Sequence, residues 1–140
     1  MFENIKKSFP FFEKNPNLIF LDTAASALKP KSVIERINNC YAYEYANIHR
    51  GVYKLSTELT DKFENVRIKT SKYINAESEN NIIFTKSATE GINLVSSCFS
   101  EKYLDSGDEV LLSHLEHHSN IVPWQIAAKK RDFKIVTIDI

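Results

Sequence analysis

Residues 81–95, NIIFTKSATEGINLV, decide how the rest of the chain is read. Ile82-Ile83-Phe84 is a β-branched and aromatic run of the kind that favours a strand. Lys86-Ser87-Ala88-Thr89 is a crossing of small polar residues. From Glu90 to Val95 the apolar positions recur at helical spacing. A strand, a tight turn and a helix N-terminus make an anion site, because the first-turn N–H groups and the positive dipole end face whatever sits there. Small side chains at Ser87 and Ala88 let a phosphate approach the backbone, and the Thr89 hydroxyl adds a donor. The plainer reading of the same residues is a capped helix after a strand, with Ser87 or Thr89 as the cap.

Downstream, a helix over 89–103 should end at the turn signal Asp105-Ser106-Gly107-Asp108. A strand at 109–113 leads into His114–Asn120, a helix to about Lys130 and a strand at 133–138. Strands at 82–85, 109–113 and 133–138 alternating with helices predict an α/β fold, a mostly parallel sheet flanked by helices. Ligands of such sheets gather beyond the C-terminal strand ends, where both Lys86–Thr89 and His114–Asn120 fall.

Upstream, Asn75–Asn80 reads as a polar turn. Thr57–Ile74 reads as an amphipathic helix burying Leu59, Phe63, Val66 and Ile74. Asn47–Gly51 breaks the helical pattern and presents His49 and Arg50 on a loop; a guanidinium there can hold a carboxylate bidentately. A surface loop with a satisfied histidine fits the same residues. A helix over Ser32–Tyr45 carries Val33, Ile34, Ile37 and Tyr41 on one face. Leu18–Leu21 reads as a short strand, and Asp22–Ala27 as a turn of small side chains, either tightly packed or open to a ligand. Pro10 and Pro16 interrupt an amphipathic opening segment over 1–17.

The whole chain bounds these readings. Its 140 residues suit about one domain, and 43% apolar content suits a packed core. The 18 basic and 18 acidic residues cancel, which removes the broad positive field of a nucleic-acid binder. No apolar run reaches bilayer length, and the N-terminus lacks a signal-peptide core, so the expected location is cytoplasmic. Cys40 and Cys98 lack CxxC spacing and read as inert thiols in a reducing compartment. The closing strand has no following element, which suggests the N-terminal piece of something longer.

Three imidazoles and a carboxylate within His114–His118 admit three readings. Along an extended segment His114, Glu116 and His118 share one face, giving a two-His, one-carboxylate metal set for a hydrolase. Alternatively one histidine lies flat against an aromatic cofactor, or the cluster is simply a polar loop. The spacing itself leaves all three open.

Taken together, LDTAASALKP (21–30), HRGVYKLS (49–56), ATEGINLV (88–95) and LEHHSNIVPW (115–124) resemble the N-terminal part of SufS-type cysteine desulfurases. These are pyridoxal-phosphate enzymes of the class V aminotransferase group, fold type I, and the likeness runs in order from about residue 8 onward. The resemblance implies that Ala88 and Thr89 bind the cofactor phosphate and that His117 stacks on the pyridine ring. It implies that Ala25 and Ser26 line the substrate side, near His49 and Arg50. It divides the chain into an N-terminal segment, 1–20, and the incomplete start of a pyridoxal-phosphate transferase domain, 21–140. The implied reaction takes sulfur from L-cysteine, or selenium from selenocysteine, leaving alanine and an enzyme persulfide for iron–sulfur cluster assembly. A homodimer and an acceptor protein of the SufE type are the implied partners. Ser87 stands where the family usually has glycine, which predicts a strained or differently turned loop if the position needs positive φ. The lysine that anchors the cofactor, the Asp at the pyridinium nitrogen, the sulfur-accepting cysteine and the carboxylate-binding Arg match no position here. The 140 residues alone are therefore expected to be inactive, or, on a third reading, a non-catalytic remnant binding a phosphate metabolite or partner.

Overall fold

A computed structural model of the chain describes residues 2–139. It divides into two compact units, Met1–Ile82 and Ile83–Ile140.

The first unit is helical. Short helices α1 (Phe2–Lys6) and α2 (Phe11–Lys14) lead into the turn at 23–26. The Phe11 ring meets Phe12 and Phe20 edge-on at 5.4 and 5.8 Å. Leu18–Leu21 forms no strand: a ladder needs a partner, and none runs beside it among the described residues, leaving Ile19 and Leu21 exposed. Helix α3 (Lys31–Asn39) starts after Pro30 and widens into a π-turn, Cys40–Glu44, so the expected single helix changes pitch near its end. Its apolar residues Val33, Ile34, Ile37 and Tyr41 are exposed. Helix α4 (Lys54–Tyr73) begins three residues earlier than the pattern suggests and half-buries Leu59 and Phe63. Val66 and Ile74, expected inside, are instead 52% and 58% exposed; the fully packed positions are Ser56 and Ser71. The Arg67 guanidinium donates to the Ile82 carbonyl and anchors the chain leaving the 3₁₀ turn Glu79–Asn81.

Glu44 ties α3 to α4. It accepts from Arg36 at 3.2 and 2.7 Å and from Lys62 at 2.7 Å. The Lys62 bond foremost, and Arg36 after it, hold this carboxylate below its ordinary value of 4.5. A depressed carboxylate stabilises the fold above its unfolded-state pKa, and that contribution disappears as pH falls through the lower folded value. Thermal midpoints of the wild type should therefore drop more steeply than those of Glu44→Gln as pH is lowered below 4.5. Added salt should shrink the difference, since the group is partly open to solvent. Superimposable pH profiles would refute the assignment.

The second unit is a βαβ arrangement. Helix α5 (Ala88–Tyr103) precedes strand β1 (Glu109–Ser113); helix α6 (Val122–Arg131) precedes strand β2 (Lys134–Ile138). The strands pair in parallel, Glu109 opposite Lys134 through Ser113 opposite Ile138. Gly107 turns into β1 at φ +93°, a conformation that favours glycine. Pro123 sits in the first turn of α6, where its missing N–H costs nothing, and Asp132 ends that helix in the left-handed region. Leu104, Ala127 and Phe133 form the buried core, with Val110, Trp124, Ala128 and Ile135 packed around it. Residues 82–85 are not a strand. Ile82 is extended, at φ −97° and ψ 118°, but finds no neighbouring strand among the described residues.

Candidate functional site

The turn into α5 is built by Ser87 and Glu90. Ser87 Oγ accepts the Glu90 N–H at 3.2 Å, and the Glu90 carboxylate accepts the Lys86 N–H. This is a capping-box pattern, S-x-x-E, displaced by one residue on its return arm. Ser87 lies at φ −163°, ψ 164°, ordinary extended backbone, so the strain expected from losing a glycine here does not arise. The two reciprocal bonds use the Lys86 and Glu90 donors and leave the N–H groups of Ala88 and Thr89 without an acceptor among the described residues. Both side chains are exposed, at the positive end of a 16-residue helix.

The strand β1 runs out into the histidine loop, which closes as a 3₁₀ turn, His118–Asn120, packed against α5. His117 caps that turn: Nδ1 accepts the Ser119 N–H at 3.2 Å and lies 2.9 Å from Ser119 Oγ. A backbone N–H can only donate, so Nδ1 keeps its lone pair and the neutral ring carries its proton on Nε2. The ring is exposed. Beside it, Glu116 accepts from Ser113 Oγ at 3.0 Å and from Asn120 Nδ2 at 2.9 Å. Asn120 Oδ1 accepts the Trp124 indole N–H at 3.1 Å. The Asn120 amide chiefly, then the Ser113 hydroxyl, hold the Glu116 carboxyl below the usual carboxylate range.

The metal reading of His114, Glu116 and His118 fails on this geometry. Shared facing required an extended segment, whereas the chain turns at His118. His114 Nε2 goes to Asp139 at 3.3 Å, Glu116 is taken by Ser113 and Asn120, and His118 lies edge-on to the His117 ring at 6.0 Å. No group of three or more His, Cys, Asp or Glu able to hold a metal exists among the described residues.

The first unit carries the other candidates. Ala25 and Ser26 are exposed, both donating backbone N–H groups to the Asp22 carbonyl at 3.1 and 2.9 Å. His49 sits at φ +67°, uncommon for a residue with a Cβ and therefore imposed by its surroundings. The surroundings belong to α4: the His49 N–H donates to Thr60 Oγ1 at 3.0 Å, and Ser56 Oγ donates to the Asn47 carbonyl at 2.5 Å. The imidazole lies 3.5 Å from Glu64 and edge-on to Phe63, while Arg50 is exposed. Sequence reasoning passed over Ser56, Thr60, Asn120 and Trp124; the i, i+4 spacing of Glu116, Asn120 and Trp124 was the available signal.

Strand β1, helix α6 and strand β2 form a parallel βαβ unit, and the chain belongs to the aminotransferase class-V family, whose profile matches residues 19–140. The resemblance drawn from the four motifs is borne out by individual relatives. PbSufS of Plasmodium berghei is 50% identical over 125 residues, covering 89% of this chain and 24% of that protein. The cysteine desulfurase SufS of Plasmodium falciparum is 47% identical, covering 89% of this chain and 23% of its own length. A solved apo cysteine desulfurase from Thermococcus onnurineus superposes with a TM-score of 0.88 at 34% identity, over 97% of this chain and 33% of that one. The chain thus spans about a quarter of those curated relatives and a third of the solved protein. No helix among the described residues is long and apolar enough to cross a membrane.

Proposed function

We propose that this chain forms the phosphate-and-ring end of a pyridoxal-phosphate site in a cysteine desulfurase. The observation that carries the reading is the pair of free N–H donors at Ala88 and Thr89, left open by the Ser87–Glu90 cap on α5. The donor set suits the group: two N–H groups and a hydroxyl for a phosphate, with no side chain larger than threonine at either position, at a positive helix end. Thr89 Oγ1 adds its hydroxyl to the phosphate oxygens. The exposed His117 ring, its Nδ1 engaged by the cap, offers a flat face to a pyridine ring. The same reading assigns the small side chains of Ala25 and Ser26 to the substrate side, with the exposed loop of His49 and Arg50 near it. Pyridoxal phosphate, when bound, supplies the electron sink that lets the substrate's sulfur depart and alanine form.

The same reading assigns a homodimer, a SufE-type sulfur acceptor, a role in iron–sulfur cluster assembly and a cytoplasmic setting. The two free cysteines agree with a reducing compartment. Neither Cys40, on the π-turn, nor Cys98, on α5, is assigned the sulfur-accepting role. No residue assigned here anchors the cofactor covalently, so the 140 residues alone should not turn over.

The intact protein, incubated with pyridoxal phosphate, should acquire visible absorbance and convert L-cysteine to alanine, with the sulfur held as a protein persulfide that an added thiol reductant releases as sulfide. Thr89→Ala should weaken cofactor binding by about tenfold, as expected for one charge-assisted hydrogen bond of about 1.5 kcal/mol. Absence of visible absorbance and of alanine would overturn the reading. Turnover by residues 1–140 alone would overturn the claim that they lack the reacting groups.

A further inference from the structure

We propose that Glu116 is a positioning residue for His117, fixing how the imidazole is presented by tying its turn to β1 on one side and α6 on the other. The proposal rests on the reading that His117 faces the cofactor.

The hydrogen bonds around Glu116 have one direction. An indole N–H is only a donor, so the Asn120 atom facing Trp124 is the carbonyl Oδ1, at 3.1 Å. Its amide nitrogen must then point at Glu116 Oε2, at 2.9 Å, where only an acceptor can meet it. Glu116 Oε1 accepts the Ser113 hydroxyl at 3.0 Å, on the last residue of β1. Each end of this relay is fixed: Ser113 by the parallel ladder to Ile138, Trp124 by packing on the Leu104–Ala127–Phe133 core. His117 lies inside the span, between Glu116 and the turn that Asn120 closes. The Asn120 N–H donates to the His117 carbonyl at 2.8 Å, so moving Asn120 moves the histidine backbone. The depressed Glu116 carboxyl keeps both oxygens available as acceptors.

The relay also specifies which substitution should work. Glutamine can turn its carbonyl to Asn120 and its amide to Ser113, whose hydroxyl rotates to accept. Alanine removes the acceptor of the Asn120 amide nitrogen and of the Ser113 hydroxyl.

The test uses the intact protein in wild-type, Glu116→Ala and Glu116→Gln forms. Nitrogen NMR of His117 without cofactor should show the Nε2–H tautomer in the wild type, a tautomer mixture in Glu116→Ala, and recovery in Glu116→Gln. With pyridoxal phosphate, Glu116→Ala should bind about tenfold more weakly, the size typical of losing an outer orienting partner. It should also lose visible ellipticity per bound cofactor, while Glu116→Gln stays within about twofold of wild type. A Glu116→Ala protein with the wild-type tautomer and ellipticity overturns the proposal, as does a Glu116→Gln protein no better than alanine. If wild type binds no pyridoxal phosphate, the functional reading fails, and the ligand-free tautomer still decides the coupling of Glu116 to His117.

Discussion

Replacing Phe133 with alanine is expected to destabilise the second unit by about 3–5 kcal/mol, the usual cost of emptying a buried aromatic site. Phe133 is 5% exposed and is the largest member of a core otherwise made of Leu104 and Ala127. The positions that could close over the gap are constrained. Val110 and Ile135 face each other across the parallel ladder, and Trp124 is held by its indole bond to Asn120. Urea unfolding of the intact protein should show a lower midpoint at an unchanged slope for this unit, with Phe133→Leu losing under about 1.5 kcal/mol. Equal midpoints for wild type and Phe133→Ala would mean that this residue is not packed as described. Because Trp124 belongs both to the core and to the Glu116 relay, Phe133→Ala should also loosen the His117 turn, a link between packing and site.

That link was only partly legible in the sequence. Periodicity reports which face of a segment is apolar, and it located α4, α5, α6, β1 and β2 well because each has a regular pattern and a punctuated end. It does not report what the face meets. Ile82-Ile83-Phe84 and Leu18–Leu21 have strand composition, yet a strand exists only where another backbone pairs with it, and among the described residues none does. Val66 and Ile74 repeat at helical spacing for the same reason and stay exposed. At the site, Ser87 as a cap followed from residue type, and His117 was identified through the resemblance to a family. Glu116 stood as a candidate ligand in one of three open readings because a carboxylate between histidines looks the same whether it binds a metal or accepts from Ser113 and Asn120. The 3₁₀ turn decides between them, and nothing in the spacing encodes that turn.

The loop bearing His49 and Arg50 yields the second large effect. Gly51→Ala should cost about 1–3 kcal/mol by overpacking, although Gly51 is not among the positive-φ glycines. The reason is space: a Cβ at residue 51 would lie 2.3 Å from Ser56 Oγ, 2.6 Å from Ser56 Cβ and 2.9 Å from Tyr53 Cε1. Ser56 cannot swing away freely. It is fully buried on the first turn of α4, and its hydroxyl donates to the Asn47 carbonyl two residues before His49. The clash should therefore be relieved by shifting the loop, which breaks the Ser56–Asn47 bond and releases the left-handed conformation of His49. In the intact protein, Gly51→Ala should lower the thermal midpoint and raise the KM for L-cysteine more than it lowers kcat, if His49 and Arg50 face the substrate. A double variant with Ser56→Gly separates the causes, since it removes the obstructing atoms. The pair should cost less than the sum of the two single changes, because the new Cβ then has room. Strict additivity, or a Gly51→Ala protein as stable as wild type, would show that the Ser56 contact does not hold this loop in place.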